Sequence, residues 1–203
     1  MTHPDELTLD GMAMAVLRAR PRCGAARVVA VDGHAGAGKT TLAARLAEEL
    51  GGAPVVHTDD LATHDEPFGW VGRLTGQVLV PLAEGRQAAH DVYDWHARAF
   101  TGVREVPPEP VVLLEGVGSG QAALRPYLAL VLWLEVPPNE ARVRGRRRDG
   151  PELDRFWTGW TRAEDEHFAA DPTRPFADLL VRQDHPSPGG YAAVPGPGTR
   201  TGG

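Results

Sequence analysis

One short stretch constrains this chain more than any other: Gly33-His34-Ala35-Gly36-Ala37-Gly38-Lys39-Thr40, which reads G-x-x-x-x-G-K-T. This is the pattern of a phosphate-binding loop, in which glycines let successive N–H groups turn toward an anion and the lysine reaches the outer phosphates. Lys39 is also the only lysine among 203 residues; lysine and arginine together number 21, so the other twenty cations are arginine. A chain that uses arginine everywhere else and keeps one lysine here has a site that needs a compact ammonium. The broad guanidinium fork would neither fit the same space nor meet the phosphates in the same way.

The flanking residues supply the strand and helix that the loop requires. Arg27-Val28-Val29-Ala30-Val31-Asp32 is a β-branched run suited to a buried parallel strand, and it stops at the first glycine. Gly33, Gly36 and Gly38 permit torsions that a Cβ would penalise, so the amides from Gly33 through Thr41, with His34, Ala35 and Ala37 between the glycines, are expected to cradle a nucleoside triphosphate. Leu42, Leu46 and Leu50 then recur every fourth residue, which predicts a helix whose positive end faces the phosphates. The hydroxyl of Thr40 is placed to hold Mg²⁺.

A chain of this length suits one compact domain, and 42% hydrophobic content is enough for a core. The net charge of −6 argues against a broad nucleic-acid surface. A lone cysteine, Cys23, excludes an intrachain disulfide framework and suits a reducing compartment. The acidic N-terminus precedes no signal-type apolar core and no run approaches a membrane span, so the expectation is a cytoplasmic protein with neither a membrane nor a nucleic-acid partner. The oligomeric state stays open, a homo-oligomer included.

Strand and helix patterns alternate along the chain. An N-terminal helix is expected around Met12, Val16 and Leu17. Further strands are expected at residues 54–58, 111–115, 128–134 and 177–181, with helices at residues 139–148 and 152–169. This order predicts an α/β fold: a three-layer α/β/α sandwich with a parallel sheet, ligands at the strands' carboxyl ends, a small β-hairpin insertion and a short arginine-rich lid. Residues 1–183 form the single domain in this reading. Residues 184–203, rich in proline and glycine, read as a disordered tail.

The reaction must be read from other residues at the carboxyl edge. Asp59, with Asp60 beside it, ends the second strand, where a carboxylate could take the proton of an attacking hydroxyl and help hold Mg²⁺. Glu115 ends the third strand beside the loop and could orient a metal-bound water. On an extended strand Asp94, His96 and Arg98 would share one face and Tyr93, Trp95 and Ala97 the other, giving the hairpin a polar side for a base or sugar. Arg142, Arg144, Arg146, Arg147 and Arg148 crowd one helical segment. Arg144, Arg147 and Arg148 share a face, from which they could close over the phosphates and stabilise transition-state charge.

Taken in order, these segments resemble the uridine kinase-like branch of the P-loop kinases, whose relatives include pantothenate kinase and phosphoribulokinase. The resemblance covers about residues 27–182. It runs through Asp32 to Thr41, Thr58-Asp59-Asp60-Leu61, Asp65-Glu66-Pro67, Tyr93 to Arg98, Leu114-Glu115-Gly116 and Phe176-Ala177-Asp178. It implies a P-loop NTPase fold and a kinase using ATP and Mg²⁺ on a small-molecule hydroxyl, a nucleoside such as uridine or cytidine being the leading acceptor. It implies Asp59 as the catalytic base and ATP contacts from the loop; with these, Lys39 and, from the arginine-rich helix face, Arg148 are expected to assist transfer and Arg144 to contact ATP. Asp65 would hold a ribose diol, with Tyr93, Trp95, His96 and Arg98 beside the nucleobase. The connection from Asp60 to His64 is shorter than in the family. Two other readings stay open: a kinase of the same architecture for another alcohol (a pantothenate-like metabolite, a sugar or an antibiotic), or an NTPase acting as a switch or assembly factor.

Overall fold

The valine-rich run before the loop is the middle of the molecule. In the computed structural model, which describes residues 6–183 and 190–199, β1 (Arg27–Asp32) is buried from its second residue onward, as a strand covered on both faces must be. After β1 the phosphate loop leads into α2 (Lys39–Glu49), which packs against α1 (Leu9–Arg18). The chain then forms β2 (Val55–His57), a single helical turn α3 (Thr58–Leu61), and a helical stretch over residues 71–83. That stretch comprises α4 (Val71–Leu74), a π-helical turn (Thr75–Leu79) and α5 (Val80–Ala83). A hairpin of β3 (Ala88–Asp94) and β4 (Ala99–Val106) stands apart from the main sheet. It is fastened to the π turn by Gln77, which donates to Asp91 Oδ2 at 2.7 Å and accepts from the Asp91 N–H at 3.0 Å. The remaining elements are β5 (Val111–Glu115), β6 (Leu128–Leu134), α6 (Pro138–Asp149), α7 (Asp154–Ala170), β7 (Leu179–Gln183) and β8 (Tyr191–Pro195).

The main sheet has the order β2-β5-β1-β6-β7-β8, parallel from β2 through β7. Leaving β1, the chain first builds one side of the sheet and then, with β6, the other. Two loops therefore diverge at the carboxyl end of β1 and open a crevice there. One face of the sheet is sealed by α1 and α2 through Met12, Val16, Leu42 and Leu46, the other by residues 70–83 through Trp70, Leu74, Val78 and Leu82. The expected α/β architecture with helices on both faces and a hairpin is thus observed. No helix among the described residues is long and apolar enough to cross a membrane.

The boundary at residue 183 needs correction. Residues 184–189 and 200–203 of the expected tail lie outside the described residues, but residues 191–195 form β8, an antiparallel edge strand paired with β7 from Leu179↔Pro195 to Gln183↔Tyr191. Its outer edge is covered by Leu7, which exchanges two backbone hydrogen bonds with Ala193 at 2.7 and 2.8 Å. Tyr191, Ala192 and Ala193 are buried. The composition is poor in apolar residues on average, yet the four-residue run Tyr-Ala-Ala-Val meets an open sheet edge that needs hydrogen-bond partners. Ending the chain after Asp184 is therefore expected to cost about 3 kcal/mol or more, chiefly the burial of Tyr191 and the ladder. At this length that is a fall in Tm of about 6–12 °C in a thermal melt. An unchanged Tm would show that β8 contributes nothing to the fold.

Candidate active site

The crevice at the end of β1 holds a cavity of about 470 Å³. On its phosphate side it is lined by Ala35, Gly36, Gly38, Lys39, Thr40 and Thr41. Gly38 caps α2 in a left-handed conformation, and the first turn of the helix leaves its N–H groups without intrahelical acceptors, directed at the cavity mouth. Not every loop amide is available to a ligand. The Gly33 N–H donates to Asp32 Oδ1 at 2.7 Å, the Ala35 N–H to Glu164 Oε1 at 2.7 Å, and the Ala37 N–H to the His34 carbonyl at 3.0 Å. Gly33, His34 and Ala37 lie outside the lining and shape the loop, which narrows the expected phosphate cradle to Gly36, Gly38 and the start of α2. Lys39 is buried, its Nζ resting 3.1 Å from the His34 carbonyl.

The loop is anchored from below by Asp32, which is fully buried. Its oxygens accept from the Gly33, Gly118 and Gly120 amides at 2.7, 2.9 and 3.0 Å and from the Thr173 hydroxyl at 2.7 Å. Burial pushes the Asp32 carboxyl up while these donors pull it down. Glycine is required at 116, where φ is 142° and an added Cβ would lie 1.8 Å from Thr58 Oγ1. The close approach brings the end of β5 against the start of α3, and so Glu115 toward Asp59.

Three oxygen-bearing side chains meet at this point. The Thr40 hydroxyl donates to Glu115 Oε1 at 3.3 Å, and Asp59 lines the same cavity. Asp59 is open to the cavity yet hemmed in by protein; that enclosure first, and the negative charge of Glu115 second, raise its pKa above the ordinary value. A hydroxyl and two carboxylates are the kind of hard-oxygen set that suits Mg²⁺. Sequence reasoning overlooked His57, whose Nδ1 sits 2.7 Å from Glu115 Oε2 and holds that carboxylate in place. The hydrogen bond His57 donates to Glu115 is the main cause of the raised His57 pKa. Asp60 faces elsewhere, paired with Arg104 of the hairpin at 2.8 Å.

The opposite walls are aromatic. Trp95 and His96 from the hairpin, His64, and Leu153, Phe156, Trp157 and Trp160 at and before the start of α7 line the cavity there, with Val117. The Trp95 indole N–H donates to the Asp59 carbonyl at 3.1 Å, tying the hairpin to the helix turn that carries the carboxylate. The expectation that Asp94, His96 and Arg98 share a strand face is not met. Residues 95–98 form the hairpin turn, and Arg98 takes a positive φ of 55°. Asp94 caps that turn, accepting from the His96 and Ala97 amides at 2.8 Å each. Tyr93 lies behind the wall, its hydroxyl 3.0 Å from His64 Nδ1, and neither it nor Arg98 lines the cavity.

Two further expectations shift. Asp65 is exposed and outside the lining, and the adjoining His64 occupies the wall instead, consistent with the short connection after Asp60. Among the five arginines of α6, only Arg148 reaches the cavity, held by Asp149 through contacts of 2.6 and 3.0 Å. Asp149 in turn accepts from the Trp157 indole at 3.1 Å. Arg144 points instead to Glu140 and Gln183, and the helix brings only its last turn, Arg148 and Asp149, to the cavity. Phe156, Trp157 and Trp160 carried a signal in the sequence, namely aromatic residues one and four apart on a predicted helix among charged neighbours.

The sequence matches no family model and no curated protein. Solved structures do match. A possible uridine kinase from Bacillus stearothermophilus is 22% identical, with 85% of this chain and 96% of that one covered at a TM-score of 0.61. A candidate kinase of a fructose transport system from Silicibacter sp. TM1040 is 26% identical, with 79% and 89% covered at 0.53. D-glycerate 3-kinase from Cryptococcus neoformans is 13% identical, with 86% and 94% covered at 0.55.

Proposed function

We propose that this chain, which has the fold of the uridine kinase-like branch of the P-loop kinases, is a cytoplasmic phosphotransferase moving the γ-phosphoryl group of ATP to the hydroxyl of an uncharged, ring-bearing acceptor, a nucleoside such as uridine or cytidine. One observation carries the reading: Lys39, Thr40, Glu115 and Asp59 line the same cavity as Trp95, His96, Phe156 and Trp160. A phosphate cradle thus faces an apolar slot across a carboxylate able to act as base.

In this mechanism the helix start and Lys39 bind the phosphates, while Thr40 and Glu115, with Asp59, would hold Mg²⁺. When held there, the ion would supply charge neutralisation to the phosphates. Asp59 accepts the proton of the acceptor hydroxyl, and its raised pKa makes it a better base than an ordinary aspartate. Arg148, fixed by Asp149, offsets charge developing on the transferred group. The aromatic walls exclude water, which limits wasteful hydrolysis. Lys39 and Arg148 are the only cations in the lining among the described residues, and both serve the phosphates. An acidic acceptor would find no further arginine or lysine in the lining to pair with, which favours a neutral nucleoside over a sugar acid.

The test is a steady-state panel with ATP and Mg²⁺ and uridine, cytidine, fructose, D-glycerate and gluconate as acceptors. A nucleoside is expected to exceed the acids by about 100-fold in kcat/KM, because an unpaired carboxylate in an aromatic slot is costly. Turnover of fructose or an acid in preference would keep the phosphate chemistry and remove the nucleoside assignment. Hydrolysis at the same rate with and without every acceptor would favour a nucleotide switch.

A further inference from the structure

A carboxylate stands where an anion-binding loop should least tolerate one. Glu164, on α7 and 129 residues from Ala35, is fully buried. Its Oε1 accepts the Ala35 N–H at 2.7 Å. Its Oε2 lies 3.2 Å from His34 Nδ1 and 3.6 Å from Arg142 Nη2. A carboxylate cannot donate, so His34 presents a protonated Nδ1, and two consecutive loop residues are held by one side chain. The His34 ring is boxed edge-on by Trp133 and Phe168, with centroids 5.5 and 5.1 Å away. The other side of the loop is pressed by α6. Gly36 has φ of 85°, and a Cβ there would lie 2.1 Å from the Ala141 carbonyl. Arg142, held by Glu164, is also bound by Asp165.

We propose that Glu164 is a positioning residue for the phosphate loop, a resident carboxylate that takes up the Ala35 amide and the His34 ring so that the amides beyond them keep the geometry a triphosphate needs. The assignment rests on the nucleotide-binding reading above. Three features carry it. The contact is charge-assisted and shielded from water, so it is stronger than a surface contact of the same length. It fixes the first half of the loop, and Lys39 Nζ rests on the carbonyl of the same His34, so slack in that residue would move the ammonium too. The helix that supplies it is seated independently at its other end, where Trp157 donates to Asp149 at 3.1 Å. Loss of Glu164 would therefore loosen the loop while leaving the acceptor wall in place. A pre-shaped loop binds ATP without first having to be ordered.

The experiment measures binding of ATP with Mg²⁺ by calorimetry, and KM for ATP and for the acceptor separately, in the wild type, Glu164→Ala, Glu164→Asp and Glu164→Gln, with a thermal melt for each. Glu164→Ala is expected to raise Kd and KM for ATP by about tenfold or more, with KM for the acceptor within about twofold. Glu164→Gln keeps an oxygen for the Ala35 N–H and should recover most of the loss. Glu164→Asp keeps the charge but draws it back from the amide. It should behave like alanine, and it decides the matter where the alanine variant does not fold. ATP affinity unchanged in a folded Glu164→Ala or Glu164→Asp overturns the proposal and leaves the proposed function standing. Equal rises in both KM values would also overturn it, by showing a general structural role. A wild type that binds no ATP removes both. Because the readout is ATP binding, it holds whichever acceptor proves correct.

Discussion

Lys39→Met is expected to lower phosphoryl transfer by roughly 10³-fold, the scale seen when one pre-organised donor to developing charge is removed. Its ammonium is buried beside the loop, 3.1 Å from the His34 carbonyl, and within electrostatic reach of Asp59. Methionine preserves the apolar stem and removes a buried cation, so the fold should hold and Tm should move by only a few degrees. Lys39→Arg should fail nearly as badly, since the guanidinium is too broad for a position enclosed by the turn from His34 to Gly38. Single-turnover assays at saturating ATP separate the loss in chemistry from any loss in binding. Near-normal transfer by Lys39→Arg would refute the argument that this chain keeps its only lysine for a compact charge.

The second large effect concerns the base. Asp59→Asn keeps shape and loses proton affinity, so kcat should fall by about 10²–10⁴ while ATP binds within about threefold of wild type. Asp60→Asn should do far less, because Asp60 is engaged by Arg104 and faces the hairpin. The sign of the pH dependence follows from the raised Asp59 pKa. The carboxylate must be ionised to accept a proton, and enclosure together with Glu115 disfavours ionisation. The acid limb of kcat/KM should therefore lie above 3.8, the ordinary aspartate value, with activity rising as pH rises through it. Asp59→Asn should abolish that limb. A limb that survives in Asp59→Asn, or a larger loss in Asp60→Asn, would move the base elsewhere.

The parts of the fold legible in the sequence share one property, that their signal is local. The runs at 111–115, apolar up to its closing Glu115, and at 128–134, apolar throughout, both emerge as strands with those bounds. The loop is legible because glycines at 33, 36 and 38 and the lysine at 39 state their purpose within eight residues. The hairpin turn reads as a strand in the sequence because Asp94, His96 and Arg98 alternate with Tyr93, Trp95 and Ala97. Asp94 instead binds the next two amides but one and closes a turn. Among the candidate site residues, Lys39, Thr40, Asp59, Glu115, Trp95, His96 and Arg148 converge on the cavity. Asp65, Tyr93, Arg98 and Arg144 do not line it, since each was placed by a neighbour's motif rather than by a constraint of its own.

By itself, then, the sequence determined that a strand, a phosphate loop and a helix follow one another, and that their carboxyl edge carries acid residues, because these depend on torsions and periodicities within a few positions. Only the tertiary structure decided which residues face each other across the crevice. It put β8 on an open edge held by Leu7, turned His57 onto Glu115, and drew Glu164 under a loop that lies 129 positions away. In a run such as Ala163-Glu164-Asp165-Glu166, nothing local distinguishes a glutamate that will be buried from its solvated neighbours. The difference is the direction of one helix face, and that is set when the helix packs.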